Sequence, residues 1–223
     1  MIRALIFDFD GLIVDTESPW YEAWQEIYRM YDCSLPLSEW AKWIGSAGTS
    51  DPYSCLSEQL GRPVDRMAIR SRWRARYAEL LARQSTLPGV EAYIVGARRK
   101  GLKLGIASSA PRKHVLGNLE RFGLASHFHS IRCADDVERI KPDPELYLTA
   151  MCVLGVTAEQ AIALEDSPNG VLAAKRAGLY CVAVPNALTR QLEFDKVDLC
   201  LDSLADLALD SLLEKVQSDT DGT

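Results

Sequence analysis

From residue 88 onward, short apolar runs alternate with longer segments carrying helix punctuation, and this alternation limits the fold more than any other feature of the chain. Residues 102–107, 130–133, 161–165 and 180–184 are short, largely apolar runs of strand length. The segments before and between them open at Pro88-Gly89, Pro111, Asp143-Pro144 and Ser167-Pro168 and close at Gly101, Gly123, Gly155 and Gly178, with proline early and glycine late as helices prefer. Thr157-Ala158-Glu159-Gln160 has capping-box form and reads as a single turn. A short strand at 199–201 and a last helix to about Val216 complete the series, and the polar residues 218–223 are predicted to be disordered. The predicted class is α/β, a Rossmann-like parallel sheet with helices on both faces.

The first strand lies apart from the rest. Ala4-Leu5-Ile6-Phe7 is a continuous apolar run that breaks at Asp8, Asp10 and Gly11. Residues 18–86 then carry helix signals alone. Ser18-Pro19 reads as an N-cap with proline after it, followed by Trp20, Trp24, Ile27, Tyr28 and Tyr31 on one helical face. Ser38 opens a second helix through Trp40 and Trp43, stopped near Gly45. Asp51-Pro52 starts a third ending near Gly61, and Asp65 caps a fourth running to about Arg83. The expected organisation is a core of residues 1–16 and 87–217, with an inserted α-helical cap of about four helices at 17–86. The Arg70, Arg72, Arg74, Arg76 series is expected to be a solvated helix surface, because alternate residues diverge around a helix.

Composition excludes several function classes. With 223 residues, 48% hydrophobic and 25% charged, the chain can bury a core and is not disordered. A net charge of −6 argues against a broad nucleic-acid face. No run approaches the ~20 apolar residues of a membrane span. The start runs from Met1-Ile2-Arg3-Ala4 straight into a strand, without the pattern of a secretory signal. Six cysteines lack CxxC spacing and read mostly as reduced, buried thiols, so a cytoplasmic location is expected; the chain is also expected to be a monomer.

Ligands gather at the carboxyl ends of parallel strands. There the sequence places Asp8 and Asp10, Ser108 and Ser109, and Glu165 and Asp166, with Lys141 in a proline-rich loop. Each has a plain structural reading when taken alone. Asp at a strand end often starts a turn, Ser108 and Ser167 can cap helices, and Lys141 can be a solvated charge. Together, four carboxylates, a hydroxyl and one ammonium call for a hard divalent cation, with magnesium the default.

The order of these pieces resembles the haloacid dehalogenase superfamily. Asp8-Phe9-Asp10-Gly11-Leu12-Ile13-Val14-Asp15-Thr16-Glu17 is similar to its first motif and Ser108 to its second. Lys141-Pro142-Asp143-Pro144 is similar to the third and Glu165-Asp166-Ser167 to the fourth. The helical insertion resembles the cap of the β-phosphoglucomutase-like branch, which includes phosphoglycolate-type and sugar-phosphate phosphatases. The resemblance implies Asp8 as nucleophile, Asp10 as general acid and base, and Mg2+ held by Asp8, the Asp10 carbonyl and Asp166, with Glu165 beside them. It implies Ser108 and the Ser109 N–H on the phosphoryl oxygens and Lys141 as the counter-charge. The implied activity is magnesium-dependent hydrolysis of a small phosphorylated metabolite through an aspartyl-phosphate. A sugar phosphomutase and a non-catalytic metabolite-binding relative are the alternatives. Specificity is expected from the cap, at Trp20, Trp43 and Gly45. Trp20 stands where several relatives carry His, and Ile44 precedes Gly45 where the mutase has Lys; both departures weigh against the mutase. Most of the five tryptophans, all between residues 20 and 73, are expected in the bundle core.

Overall fold

The computed structural model describes residues 1–41 and 51–221. Six parallel strands form one sheet: β1 (Ala4–Phe7), β2 (Lys103–Ala107), β3 (Ser130–Arg132), β4 (Ala161–Glu165), β5 (Tyr180–Ala183) and β6 (Leu199–Cys200), in the order β3-β2-β1-β4-β5-β6. β1 lies in the middle, between β2 and β4, where the order reverses; Phe7 stands level with Ile106 on one side and Leu164 on the other. That reversal opens a crevice at the carboxyl end of β1.

Period-2 alternation explains why the strands are apolar throughout. Leu5, Phe7, Ile162 and Leu164 point into one buried layer with α5 (Val90–Arg99), α6 (Arg112–Arg121) and α9 (Leu209–Asp221). Ala4, Ile6, Ala161 and Ala163 point into the other, with α7 (Glu145–Leu154) and α8 (Pro168–Arg176). A third apolar cluster gathers Trp24, Tyr28, Trp40, Leu56 and Ile69 from α1 (Glu17–Met30), α2 (Leu37–Ala41), α3 (Pro52–Leu60) and α4 (Arg66–Ala82), closed by Leu188 from the chain after β5. The two chain segments flanking this helical block pair at its base. Val14 bridges Thr86 antiparallel, and the Leu87 N–H donates to the Ile13 carbonyl at 2.9 Å.

Several expectations need correction. α1 starts at Glu17, not after a Ser18 cap: the Asp15 carboxylate accepts from the Ser18 N–H at 2.9 Å, and Pro19 falls within the first turn, where N–H groups lack helical partners anyway. Ser38 lies inside α2 rather than capping it, and Trp43 and Gly45 are outside the described residues. The last helix runs to Asp221, so residues 218–221 are helical and not disordered. Ser218 bonds back to the Glu214 carbonyl, and the Tyr180 hydroxyl donates to Asp219 at 2.9 Å. Arg76 is not merely solvated. Its guanidinium forks onto Glu26 at 2.9–3.0 Å and ties α4 to α1, whereas Arg70, Arg72 and Arg74 are exposed. Cys152 and Cys200 are exposed, one on α7 and one on the edge strand β6; Cys133 and Cys181 are the buried thiols.

Candidate active site

Asp8 leaves β1 with its N–H donating to the Leu164 carbonyl at 2.9 Å, which sets it level with the end of β4. Its carboxylate is buried against Lys141, whose Nζ donates to Asp8 Oδ1 at 2.5 Å and to Glu165 Oε1 at 2.6 Å. The Tyr147 hydroxyl, from α7, donates to the same Glu165 oxygen at 2.5 Å, and its ring lies 5.2 Å from the Lys141 ammonium. Glu165 is fully buried because Gly170 leaves room: a Cβ there would sit 1.8 Å from Glu165 Oε2. Ser167 caps α8 by accepting from the Gly170 N–H at 3.3 Å. Asp166 is steadied by Asn186, whose Nδ2 donates to Oδ2 at 2.7 Å. Gly11, with φ of +78°, makes the turn after β1, and a Cβ there would reach within 2.2 Å of the same Asp166 oxygen.

Asp8, Glu165 and Asp166 each offer an oxygen within 4.8 Å of the others. Three buried carboxylates against one ammonium leave an uncompensated negative charge. Burial pushes the Asp8 carboxyl up to about 7, with Lys141 opposing and Glu165 and Asp10 adding to the rise. Burial likewise raises Asp166 well above the ordinary range, helped by Asp8 and Glu165. Burial works against the Lys141 charge, but Asp8 and Glu165 outweigh it and hold the ammonium protonated. A buried pocket of hard oxygen donors with surplus negative charge fits a divalent cation such as Mg2+.

Asp10 points away from that cluster. Its Oδ1 shares a 2.8 Å hydrogen bond with His114 Nε2, and Ser108 Oγ lies 3.5 Å from Oδ2. Burial opposes charge on His114, yet the hydrogen bond and charge of Asp10 raise its pKa overall. Ser108 is buried, and its Oγ accepts from the Ala110 N–H at 3.0 Å.

Asp8, Asp10, Ser108, His114, Lys141 and Asp166 line one cavity of about 540 Å³, which also takes in Ser109, Asn169, Thr189, Glu17, Trp20 and Tyr77. Glu17 Oε2 and Thr16 Oγ1 are buried with no hydrogen-bond partner among the described residues. Burial, then the charges of Asp10, Asp15 and Asp8, push the Glu17 carboxyl up to about 8. Tyr77 stacks on Trp73 at 5.4 Å and so carries the aromatic cluster of the helical block to the cavity wall. Trp24 and Trp40 are core residues as expected, whereas Trp20, 37% exposed, lies at the cavity rim.

The model of haloacid dehalogenase-like hydrolases matches residues 5–184. The chain belongs to this family. The hydrolase is 47% identical over 218 residues to the Bacillus subtilis protein named "Putative phosphatase YhcW", covering 98% of this chain and 99% of the relative. It is 31% identical to the phosphorylated carbohydrates phosphatase of Thermotoga maritima, over 80% of this chain and 82% of the relative. Among solved structures, CbbY of Rhodobacter sphaeroides with xylulose-(1,5)-bisphosphate matches at a TM-score of 0.78 and 31% identity, covering 95% of this chain and 99% of that one.

Asp8, Asp10, Ser108, Ser109, Lys141, Glu165, Asp166 and Trp20 all reach the one site. The sequence reading missed His114, Tyr147, Asn186, Glu17 and Tyr77. Asn186 lies just beyond β5, so extending the strand-end rule to that strand finds it. Tyr147 and His114 carry no such signal, since which helix faces inward depends on packing.

Proposed function

We propose that this hydrolase is a magnesium-dependent phosphatase for a small phosphorylated metabolite, a sugar phosphate or similar, acting through an aspartyl-phosphate on Asp8. The observation that carries the reading is the buried Asp8–Lys141–Glu165–Asp166 cluster opening onto a cavity that also presents Asp10 and Ser108. Asp8, the Asp10 carbonyl and Asp166 would hold Mg2+, with Glu165 adjacent, and the bound ion would supply positive charge for the carboxylates and phosphoryl oxygens. Lys141 favours the ionised form of Asp8, the nucleophile, against the effect of burial, and neutralises charge building on phosphorus. Ser108 Oγ and the Ser109 N–H orient the phosphoryl oxygens. Asp10 protonates the leaving oxygen and then takes a proton from the attacking water.

The helical block, residues 17–86, serves as the cap over the core, residues 1–16 and 87–217, and reads the substrate's organic part. Glu17 Oε2 and Thr16 Oγ1, unsatisfied among the described residues, suit substrate hydroxyls, and a sugar phosphate provides them. The names of the Thermotoga relative and the CbbY complex support the same substrate class. A monomer suffices, because one chain supplies every group of the site, and a reducing cytoplasm suits its unpaired cysteines.

The test is phosphate release from a broad panel of phosphate monoesters, with Mg2+ and with chelator. Hydrolysis of hydroxyl-rich alkyl phosphates that stops with chelator is the expected result. No release from any ester, or phosphate migration on a hexose phosphate faster than hydrolysis, overturns it.

A further inference from the structure

We infer that His114 is the positioning residue for Asp10, and that it assigns the two carboxyl oxygens different duties: Oδ1 is anchored to the protein and Oδ2 carries the proton. The inference rests on the phosphatase reading and deepens it.

His114 stands in the first turn of α6, just beyond the phosphate-binding segment Ser108-Ser109, with its N–H donating to the Pro111 carbonyl at 2.9 Å. Its own carbonyl accepts from Asn118 Nδ2 at 2.9 Å, and its ring meets Phe9 edge-on at 5.8 Å. Helix geometry and the Phe9 contact therefore set the imidazole's direction before substrate arrives. Its Nε2 lies 2.8 Å from Asp10 Oδ1, a full hydrogen bond, whereas the Ser108 contact to Oδ2 is long at 3.5 Å. Once Ser108 turns to a phosphoryl oxygen, Oδ2 loses that contact, while Oδ1 stays bound to His114. A carboxyl held at one oxygen cannot rotate freely, so its other oxygen stays aimed at the phosphoryl group. A general acid needs that fixed aim.

The step balances on these atoms. An Asp8 oxygen bonds to phosphorus as the bond from phosphorus to the substrate's bridging oxygen breaks, and the proton on Asp10 Oδ2 passes to that oxygen. Water then attacks phosphorus, returns a proton to Oδ2 and releases Asp8 with inorganic phosphate.

A positioning role predicts a loss that depends on the leaving group. His114→Ala is compared with wild type on the alkyl phosphate that wild type hydrolyses fastest, and on p-nitrophenyl phosphate, whose leaving group departs without a proton. The expected loss in kcat/KM, which ends at leaving-group departure and leaves out the hydrolysis step that both esters share, is about tenfold to a hundredfold on the alkyl ester and less than about threefold on the aryl ester. His114→Gln, whose amide N–H can reach Oδ1, is expected to restore most of the alkyl activity. Equal kcat/KM losses on both esters, or no loss on either, overturn the inference while the phosphatase reading stands. A wild-type chain that hydrolyses neither ester in Mg2+ overturns both.

Discussion

The floor of the cavity and its helical wall are built on opposite principles. On the floor, Asp8, Glu165, Asp166 and Lys141 each have a protein partner at 2.5–2.7 Å, so their positions are set in the free chain. On the wall, Glu17 Oε2 and Thr16 Oγ1 are buried without partners among the described residues, and Trp20 is partly open. Chemistry that is the same for every phosphate ester profits from groups fixed in advance. Recognition of one organic group profits from hydrogen-bonding capacity left for the substrate to fill. Floor residues should therefore be costly to remove for both stability and turnover, and wall residues costly for selectivity alone.

The largest effect expected is on chemistry. Asp8→Asn should lower phosphate release by more than about a thousandfold in steady-state assays, because an amide is no nucleophile; normal turnover would rule out the covalent route. Lys141→Met leaves Asp8 and Glu165 buried without their counter-charge and should cost about 3–5 kcal/mol in a denaturant titration. A cost below about 1 kcal/mol, the range of surface pairs, would mean that charge does not hold the floor. Gly170→Ala sets a methyl where Glu165 lies and should cost about 2 kcal/mol, read as a lower midpoint at unchanged m-value.

Magnesium and pH sharpen the contrast further. The Asp8 carboxyl rises from 3.8 to about 7 on folding, so the folded chain keeps a proton that the unfolded chain releases. Stability therefore falls as pH rises from about 4 to 7, and the deficit is complete above it. Cation binding offsets that deficit, so Mg2+ should raise the Tm more at pH 8 than at pH 6, the rise at pH 8 being the equivalent of about 1.4 kcal/mol at ten times the Kd there. An equal shift at both pH values would place the ion elsewhere. The smallest effect has the opposite sign to the floor variants. Glu17→Leu removes a carboxyl whose Oε2 is buried without a partner among the described residues and should stabilise the chain by about 1 kcal/mol. It should also raise KM for a hydroxyl-rich ester about tenfold, leaving kcat on p-nitrophenyl phosphate unchanged. Loss of stability instead would show that Glu17 is a structural residue.

Legibility in the sequence followed the same divide. The floor could be read because parallel strands deliver their following residues to one edge. Asp8 after β1, Ser108 after β2 and Glu165 at the end of β4 had to lie near one another once the strands were recognised. Helix boundaries marked by Asp51, Asp65 and Gly61 were equally local, since each cap bonds its own first or last turn. Ser18 misled because Asp15, three residues earlier, took its N–H. The wall was harder to read. Trp20 and Trp24 share a helical face, yet Trp24 is covered by Tyr53 and Trp73 while Trp20 reaches the cavity rim, a distinction no period of 3.6 contains.

The sequence by itself determined the strand–helix alternation, the insertion after β1 and the acidic and basic residues at the strand ends, because these depend on local periodicity and on one topological rule. Only the tertiary structure decided that Tyr147 and Lys141 share Glu165, that Asn186 holds Asp166 and that His114 holds Asp10. Those partners lie 18 to 104 residues apart in the chain, and their meeting depends on how the helices pack against the sheet.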